Sequence, residues 1–173
     1  MWQNPKKTAR LITRDGFTIE GVGIGAEGMT SGEVCFNTAI TGYQEIMSDP
    51  SYSEQIITFT FPHIGNVGAN DNDLEISNRA APQSANGLIV REVPSASANY
   101  RATTAFDDWL CAHNIIGIAG VDTRALTTYI RTNGMFDAVL AHDKNGIFDD
   151  NLMRNTLDDF TGLDGQDLAS RVS

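Results

Sequence analysis

The 173-residue sequence predicts a mixed α/β domain, β-rich in its first half and alternating helix with strand in its second. Three observations carry this. Two β-branched runs flank an Asp15-Gly16 pair near the N-terminus. Further short apolar runs follow, separated by polar loops rich in Gly, Asn and Asp. After Pro94 the apolar residues recur every three or four positions, the period of a helix rather than a strand.

Taken in order, residues 10–13 and 17–24 read as a hairpin, because Asp-Gly supplies the positive φ that a tight two-strand turn needs. Residues 33–39 alternate and place Val34, Phe36 and Thr38 on one face of a strand. Residues 55–61 form a further strand, stopped by Pro62, which has no N–H for a ladder. Residues 87–93 are another short apolar run. Residues 41–53 and 63–73 read as loops, the kind of segment in which function tends to sit.

In the second half, residues 103–114 have Phe106, Trp109, Leu110 and His113 at helical spacing. Residues 115–121 are continuously apolar, as in a strand covered on both faces. Asp122 is placed to cap a helix by accepting its free N–H groups. That helix carries Leu126, Tyr129 and Ile130 on its buried stripe and ends at Gly134. Residues 136–141 read as a strand. Residues 148–160 read as a last amphipathic helix with Leu152, Met153, Leu157 and Phe160 inward.

Composition narrows the function classes. A hydrophobic fraction of 41% supplies a core for one domain. We read residues 1–9 as an N-terminal extension, 10–160 as the domain, and 161–173 as the start of a connection to something further. No apolar run approaches the roughly 20 residues of a membrane span, and the basic N-terminus leads into no long apolar stretch, so it makes a poor signal peptide. The expectation is a soluble, cytoplasmic chain without a membrane partner. Formal net charge is −10, which repels nucleic acid. From Asp137 onward there are eight Asp against three Lys or Arg. That excess reads as a solvated acidic surface, with a face for a basic partner as the sharper alternative.

The residues offer little chemistry. No GxSxG or GxCxG turn exposes a nucleophile. Cys35 lies in a strand pattern and Cys111 in a helix pattern, and both read as small buried hydrophobes. Two cysteines without a CxxC pair give neither a disulfide framework nor a zinc site. The histidines are scattered. His113 reads as a helix-end residue, His142 as a surface residue, and His63, in a Gly-rich loop after Pro62, as the one with functional prospects. Gly65-Asn66-Val67-Gly68 lacks the GK[ST] tail of a phosphate loop and reads as a turn. Gly21, Gly23 and Gly25 miss the dinucleotide spacing and lie inside a strand. Ser51, after Pro50, is by itself a turn serine. On chemistry alone the chain is a domain without its own active site, metal or cofactor.

The loops, however, carry a long ordered pattern. From residue 32 the chain reads Gly-Glu-Val-Cys-Phe-Asn-Thr-Ala, then Thr-Gly-Tyr-Gln-Glu-Ile-Met-Ser-Asp-Pro-Ser-Tyr, then Gln-Ile-Ile-Thr-Phe-Thr-Phe-Pro-His-Ile-Gly-Asn-Val-Gly. Ala98-Asn99-Tyr100-Arg101 follows, then Gly-Ile-Ala-Gly-Val-Asp-Thr-Arg-Ala-Leu-Thr from residue 117, then Gly-Leu-Asp-Gly-Gln-Asp-Leu from residue 162. This run resembles the N-terminal half of the carbamoyl-phosphate synthetase small chain, over nearly everything after about residue 9.

The resemblance implies a layered β/β/α domain of the swivelling type. It implies a second, class I glutamine amidotransferase domain with a Cys nucleophile, a His and a Glu, none of which is in these 173 residues. Ammonia from glutamine would pass to a large synthetase subunit, where ATP, a divalent metal and bicarbonate yield carbamoyl phosphate for arginine and pyrimidine synthesis. The partners implied are the large subunit, the chain's own amidotransferase domain, and glutamine. The family serine that helps bind glutamine across the domain boundary matches Ser51, whose hydroxyl can donate and accept. In residues 72–77 the family is more acidic, and Leu74 stands where Glu is common, so that stretch receives no role. Two hypotheses follow: a non-catalytic domain of a glutamine-hydrolysing ligase, or a stand-alone scaffold that kept the fold. Reading the gene past Ser173 for a GxCxG turn separates them.

Overall fold

The computed structural model describes residues 5–69, 85–94 and 104–163. The stretches at 72–77 and 98–101, and the connection beyond Leu163, lie outside the described residues.

Among the described residues there are seven strands and four α-helices: β1 (Ala9–Thr13), β2 (Thr18–Gly25), β3 (Gly28–Asn37), α1 (Tyr43–Ser48), β4 (Gln55–Phe59), β5 (Gly87–Ile89), α2 (Phe106–Ala112), β6 (Ile116–Ala119), α3 (Thr123–Asn133), β7 (Phe136–His142) and α4 (Asp150–Asp159). The strands hydrogen-bond in the order β1-β2-β6-β5-β4-β3-β7, and β7 pairs back to β1. The mixed α/β class holds, with the sheet curled into a barrel. Strands β3 to β6 pair in parallel, while β1, β2 and β7 pair with their neighbours antiparallel.

Alternation along each strand sends one set of side chains inward. Leu11, Val34, Ile56, Ile89, Ile118, Ala138 and Leu140 form that inner cluster. The opposite set packs under helices. Ile57, Phe59, Leu88 and Val90 meet Met47 of α1 and Phe106, Trp109 and Leu110 of α2. Ile12, Val139 and Ala141 meet Met153 and Leu157 of α4. Helix α3 adds Leu126 and Ile130 to the inner cluster. Each fully buried Val, Leu, Ile, Phe or Met among them is worth about 1.5–3 kcal/mol relative to exposure.

Local sequence explains the element ends. The Asp15-Gly16 hairpin forms as expected, with Ile12 opposite Thr18 and Gly16 at φ +85. Asp122 caps α3 by accepting from the Ala125 N–H at 3.1 Å. The β2 glycines have a packing reason. A Cβ on Gly21 would lie 2.3 Å from the Ala119 carbonyl oxygen, and one on Gly23 would lie 2.0 Å from the His142 ring. Only glycine lets β2 approach its neighbours this closely.

The structure corrects several expectations. Residues 41–53 are not plain loop. Gly42, at φ +76, opens α1, and Tyr43, Gln44 and Met47 are buried there. Strand β3 begins at Gly28 and stops before Thr38, where Asn37 Oδ1 accepts from the Ala39 N–H. Leu152 and Tyr129 face outward, because each helix touches the barrel along a narrow stripe. Phe160 sits half-buried at the α4 end. Cys111 is exposed, whereas Cys35 is buried as expected. His142 is buried rather than on the surface. It continues the inward alternation of Ala138 and Leu140.

Candidate functional site

Ser51 sits in a short 3-10 turn, Pro50–Tyr52, directly after α1. Asp49 organises it: its carboxylate accepts from the Ser51 N–H at 2.8 Å and its carbonyl accepts from the Tyr52 N–H at 3.1 Å. The Ser53 N–H donates to the Pro50 carbonyl at 3.0 Å. Both flanks are anchored. Asn37 Nδ2 donates to the Tyr52 hydroxyl at 3.1 Å, the Tyr52 ring packs on the outer core cluster, and Ser53 bridges to Ala85. Ser51 itself is exposed. Among the described residues its hydroxyl makes no hydrogen bond, so donor and acceptor face outward from a fixed backbone.

The end of the described chain meets β7, two strands from β4. Gln55, at the start of β4, stands opposite Glu33 of β3, and Glu33 stands opposite Asp137 of β7. Gly162 rests against the Asp137 carboxylate. Arg14 holds that carboxylate at 3.0 Å and also donates to the Phe160 carbonyl. The chain therefore leaves α4 two strand spacings, roughly 10 Å, from the strand that follows the Ser51 turn.

The two mouths of the barrel differ. One is polar. His142 fills it, with Nδ1 bonded to the Ala26 carbonyl at 3.0 Å, which fixes the proton on Nδ1 in the neutral ring. Thr8, Gly23, Glu27, Asp107, Cys111 and Lys144 complete this mouth. Lys144 pairs with Glu27 at 2.7 Å, and hydrogen bonding from Lys144 holds the Glu27 carboxyl below its ordinary range. The other mouth is an apolar groove of about 750 Å³ between the β1–β2 hairpin and α3. Ile19, Val121, Leu126 and Phe136 line it, with Phe17 and Tyr129 on its lips and Arg14, Asp15, Asp122 and Asp137 around the rim.

The remaining candidates do not assemble. His63 is exposed, with Nδ1 3.0 Å from Glu92 Oε2. The 65–68 segment is a turn, as expected: the Gly68 N–H donates to the Gly65 carbonyl at 3.1 Å, and Gly65 packs on Phe106. His113 ends α2, as expected. Burial, with Glu33 adding to it, pushes the Cys35 thiol up to about 12. Burial, then Asp107 and Asp108, raise the Cys111 thiol as well. Both shifts oppose the thiolate that a nucleophile needs. Among the described residues no group of three His, Cys, Asp or Glu side chains is placed to hold a metal ion, and no helix is long and apolar enough to cross a membrane.

Sequence reasoning did not single out the groove. The one signal for it was an aromatic, Phe17, straight after Asp15-Gly16; Tyr129, read as part of the buried stripe, gave none.

Comparison with known proteins identifies the family. The family model for the carbamoyl-phosphate synthase small chain, CPSase domain, matches residues 11–140. The chain is 53% identical over 172 residues to the carbamoyl phosphate synthase small chain of Bradyrhizobium diazoefficiens, covering 99% of this chain and 43% of that relative. It is 54% identical to the one from Rhizobium meliloti, covering 97% and 42%. It is 50% identical to the one from Caulobacter vibrioides, covering 98% and 44%. The chain thus spans less than half the length of the curated relatives it matches. A solved aminopeptidase from Aneurinibacillus overlaps at 15% identity over 79% of this chain and 30% of its own, with a TM-score of 0.38, too low to bear on fold or function. The match over residues 11–140 and the identities near one half establish that the chain belongs to the carbamoyl-phosphate synthase small chain family, as its CPSase domain.

Proposed function

We propose that this domain is the non-catalytic half of the glutamine-using subunit of a carbamoyl-phosphate-forming ligase. It works in the cytoplasm, in arginine and pyrimidine synthesis. Its tasks are to dock on the large subunit, where ATP and a divalent metal act, and to complete the glutamine pocket of the amidotransferase domain with Ser51. The observation that carries this reading is the exposed, hydrogen-bond-free Ser51 hydroxyl on an anchored turn. The chain's exit beside Asp137, two strands away, supports it, since a following domain would begin within reach of that hydroxyl.

Chemically, the chain's part is binding and orientation. The Asp49 carboxylate fixes the turn, so the hydroxyl is presented without reorganisation, which is where a preorganised contact gains its value. Both thiols are held protonated, so bond cleavage in glutamine falls to the amidotransferase domain. The layered β/β/α swivelling description belongs with this reading, and the curled sheet with helices outside it supports it.

The test is Ser51→Ala in the full-length small subunit assembled with the large one. Loss of one neutral hydrogen bond, about 1.4 kcal/mol, raises the glutamine KM about tenfold. An unchanged KM would remove Ser51 from the site. The isolated domain should release no ammonia from glutamine.

A further inference from the structure

The apolar groove between the β1–β2 hairpin and α3 has no role in the glutamine site just described. Its floor is Ile19, Val121, Leu126 and Phe136. Its lips are Phe17, 61% exposed, and Tyr129, 47% exposed. Both rings line the groove and remain about half or more in solvent, with Tyr129 edge-on against Phe136, so the groove is open along its length and its apolar contact area continues onto the surface. That shape suits a polypeptide, which covers lips as well as floor, better than a small molecule, which is surrounded by its pocket.

The rim charges narrow the occupant. Arg14 is engaged with Asp137 and the Phe160 carbonyl. Asp122 has an exposed carboxylate with Arg91 at 3.7 Å. Asp15 bonds the Thr13 hydroxyl and the Phe17 N–H, and these bonds, the Thr13 one first, keep it below the ordinary carboxylate range and ionised. Two carboxylates, on the hairpin wall and the α3 wall, therefore face whatever lies between. A second copy of this chain is a poor occupant, because two bodies of net charge −10 repel each other.

We propose that this groove receives an apolar segment of the partner subunit flanked by lysine or arginine, with the apolar residues between Phe17 and Tyr129 and the cations on Asp15 and Asp122. The proposal rests on the docking reading above and names the surface that does it. Apolar burial supplies the affinity, and the acidic rim supplies orientation and encounter rate.

The experiment titrates full-length small subunit with the large subunit and reads Kd at low and high salt. Phe17→Glu and Tyr129→Glu change exposed side chains, so folding is retained, and each is expected to raise Kd at least tenfold. Asp15→Asn keeps the turn and is expected to raise Kd about threefold and to flatten the salt dependence. Ser51→Ala should leave Kd unchanged. If both Glu variants bind like wild type, the groove is not the docking surface, although docking itself stands. If wild type forms no complex, the docking reading falls too. If the Glu variants instead lower the Tm of the uncomplexed full-length small subunit, with Kd unchanged, the groove is filled by the protein's own continuation and the proposal is overturned. Loss of a wild-type homodimer in the Glu variants, seen by sedimentation, would assign the groove to a second copy and overturn it equally.

Discussion

The two mouths of this barrel are made from the same strands and opposite materials. At one, Gly23 clears space for a buried histidine tied to Ala26, and a Lys144–Glu27 pair lies beside it. At the other, Phe17 and Tyr129 stand in water above an apolar floor. The polar mouth is finished within the domain, because its largest side chain is packed and hydrogen-bonded. The apolar mouth leaves apolar area exposed, a state that soluble proteins keep for contacts. The comparison teaches where to look for partners: at the end whose surface is not satisfied from within.

Substitutions at the two mouths should therefore behave differently. The largest effect is expected for Gly23→Val. The new side chain would enter the His142 ring, which cannot move without breaking its bond to Ala26, and stability should fall by about 3 kcal/mol in urea denaturation. A loss under about 0.5 kcal/mol would mean that the histidine is not a packed plug.

Next is Asp122→Ala, at the junction of β6 and α3. Losing the N-cap should cost about 1 kcal/mol by the same measurement. Smallest is Phe17→Ala at the open mouth, expected within about 0.5 kcal/mol of wild type, since the ring is mostly in water already. A large destabilisation there would make the groove part of the core and erase the contrast.

The cysteines sharpen the comparison through pH. Cys111 lines the polar mouth and is exposed, while Cys35 is buried under the outer wall. Iodoacetamide on the native protein should label Cys111 and spare Cys35. The Cys111 reaction should run slower than that of a free thiol at pH 8 and speed up with pH, because a raised thiol pKa means less thiolate. For Cys35 the folded pKa lies above the unfolded one, so the folded state retains a proton that the unfolded state has lost. Stability is then unaffected below about pH 8.5 and falls as pH rises toward about 12. Cys35→Ala should remove that part of the alkaline loss, read as urea midpoint against pH.

Much of the wall was legible beforehand. Asp15-Gly16 marked the hairpin, the 115–121 run marked β6, and Asp122 and Gly134 bracketed α3, each by a local rule. What escaped were features set by tertiary packing. Helix α1 is six residues long, too short for a periodic signal, and exists because Tyr43 and Met47 reach the core beside Gly42. His142 looked like a surface residue because what buries it, Gly23 and the Ala26 carbonyl, lies more than a hundred residues away in the sequence. Tyr129 and Leu152 face outward because a helix against a curved wall is buried along a narrower stripe than spacing alone suggests. Ser51 was legible only through resemblance: no physical rule separates it from any other exposed turn serine.

The ring of strands has one more consequence. Since β7 pairs with both β3 and β1, each of the seven strands among the described residues has a neighbour on both sides over part of its length, and one-sided pairing is confined to strand ends such as Thr18–Gly21 of β2. No complete strand edge is left for a partner or a stray copy to add to. Recognition is left to side chains at the rims and turns. The contacts of this domain can accordingly diversify residue by residue while the backbone ladder keeps its form.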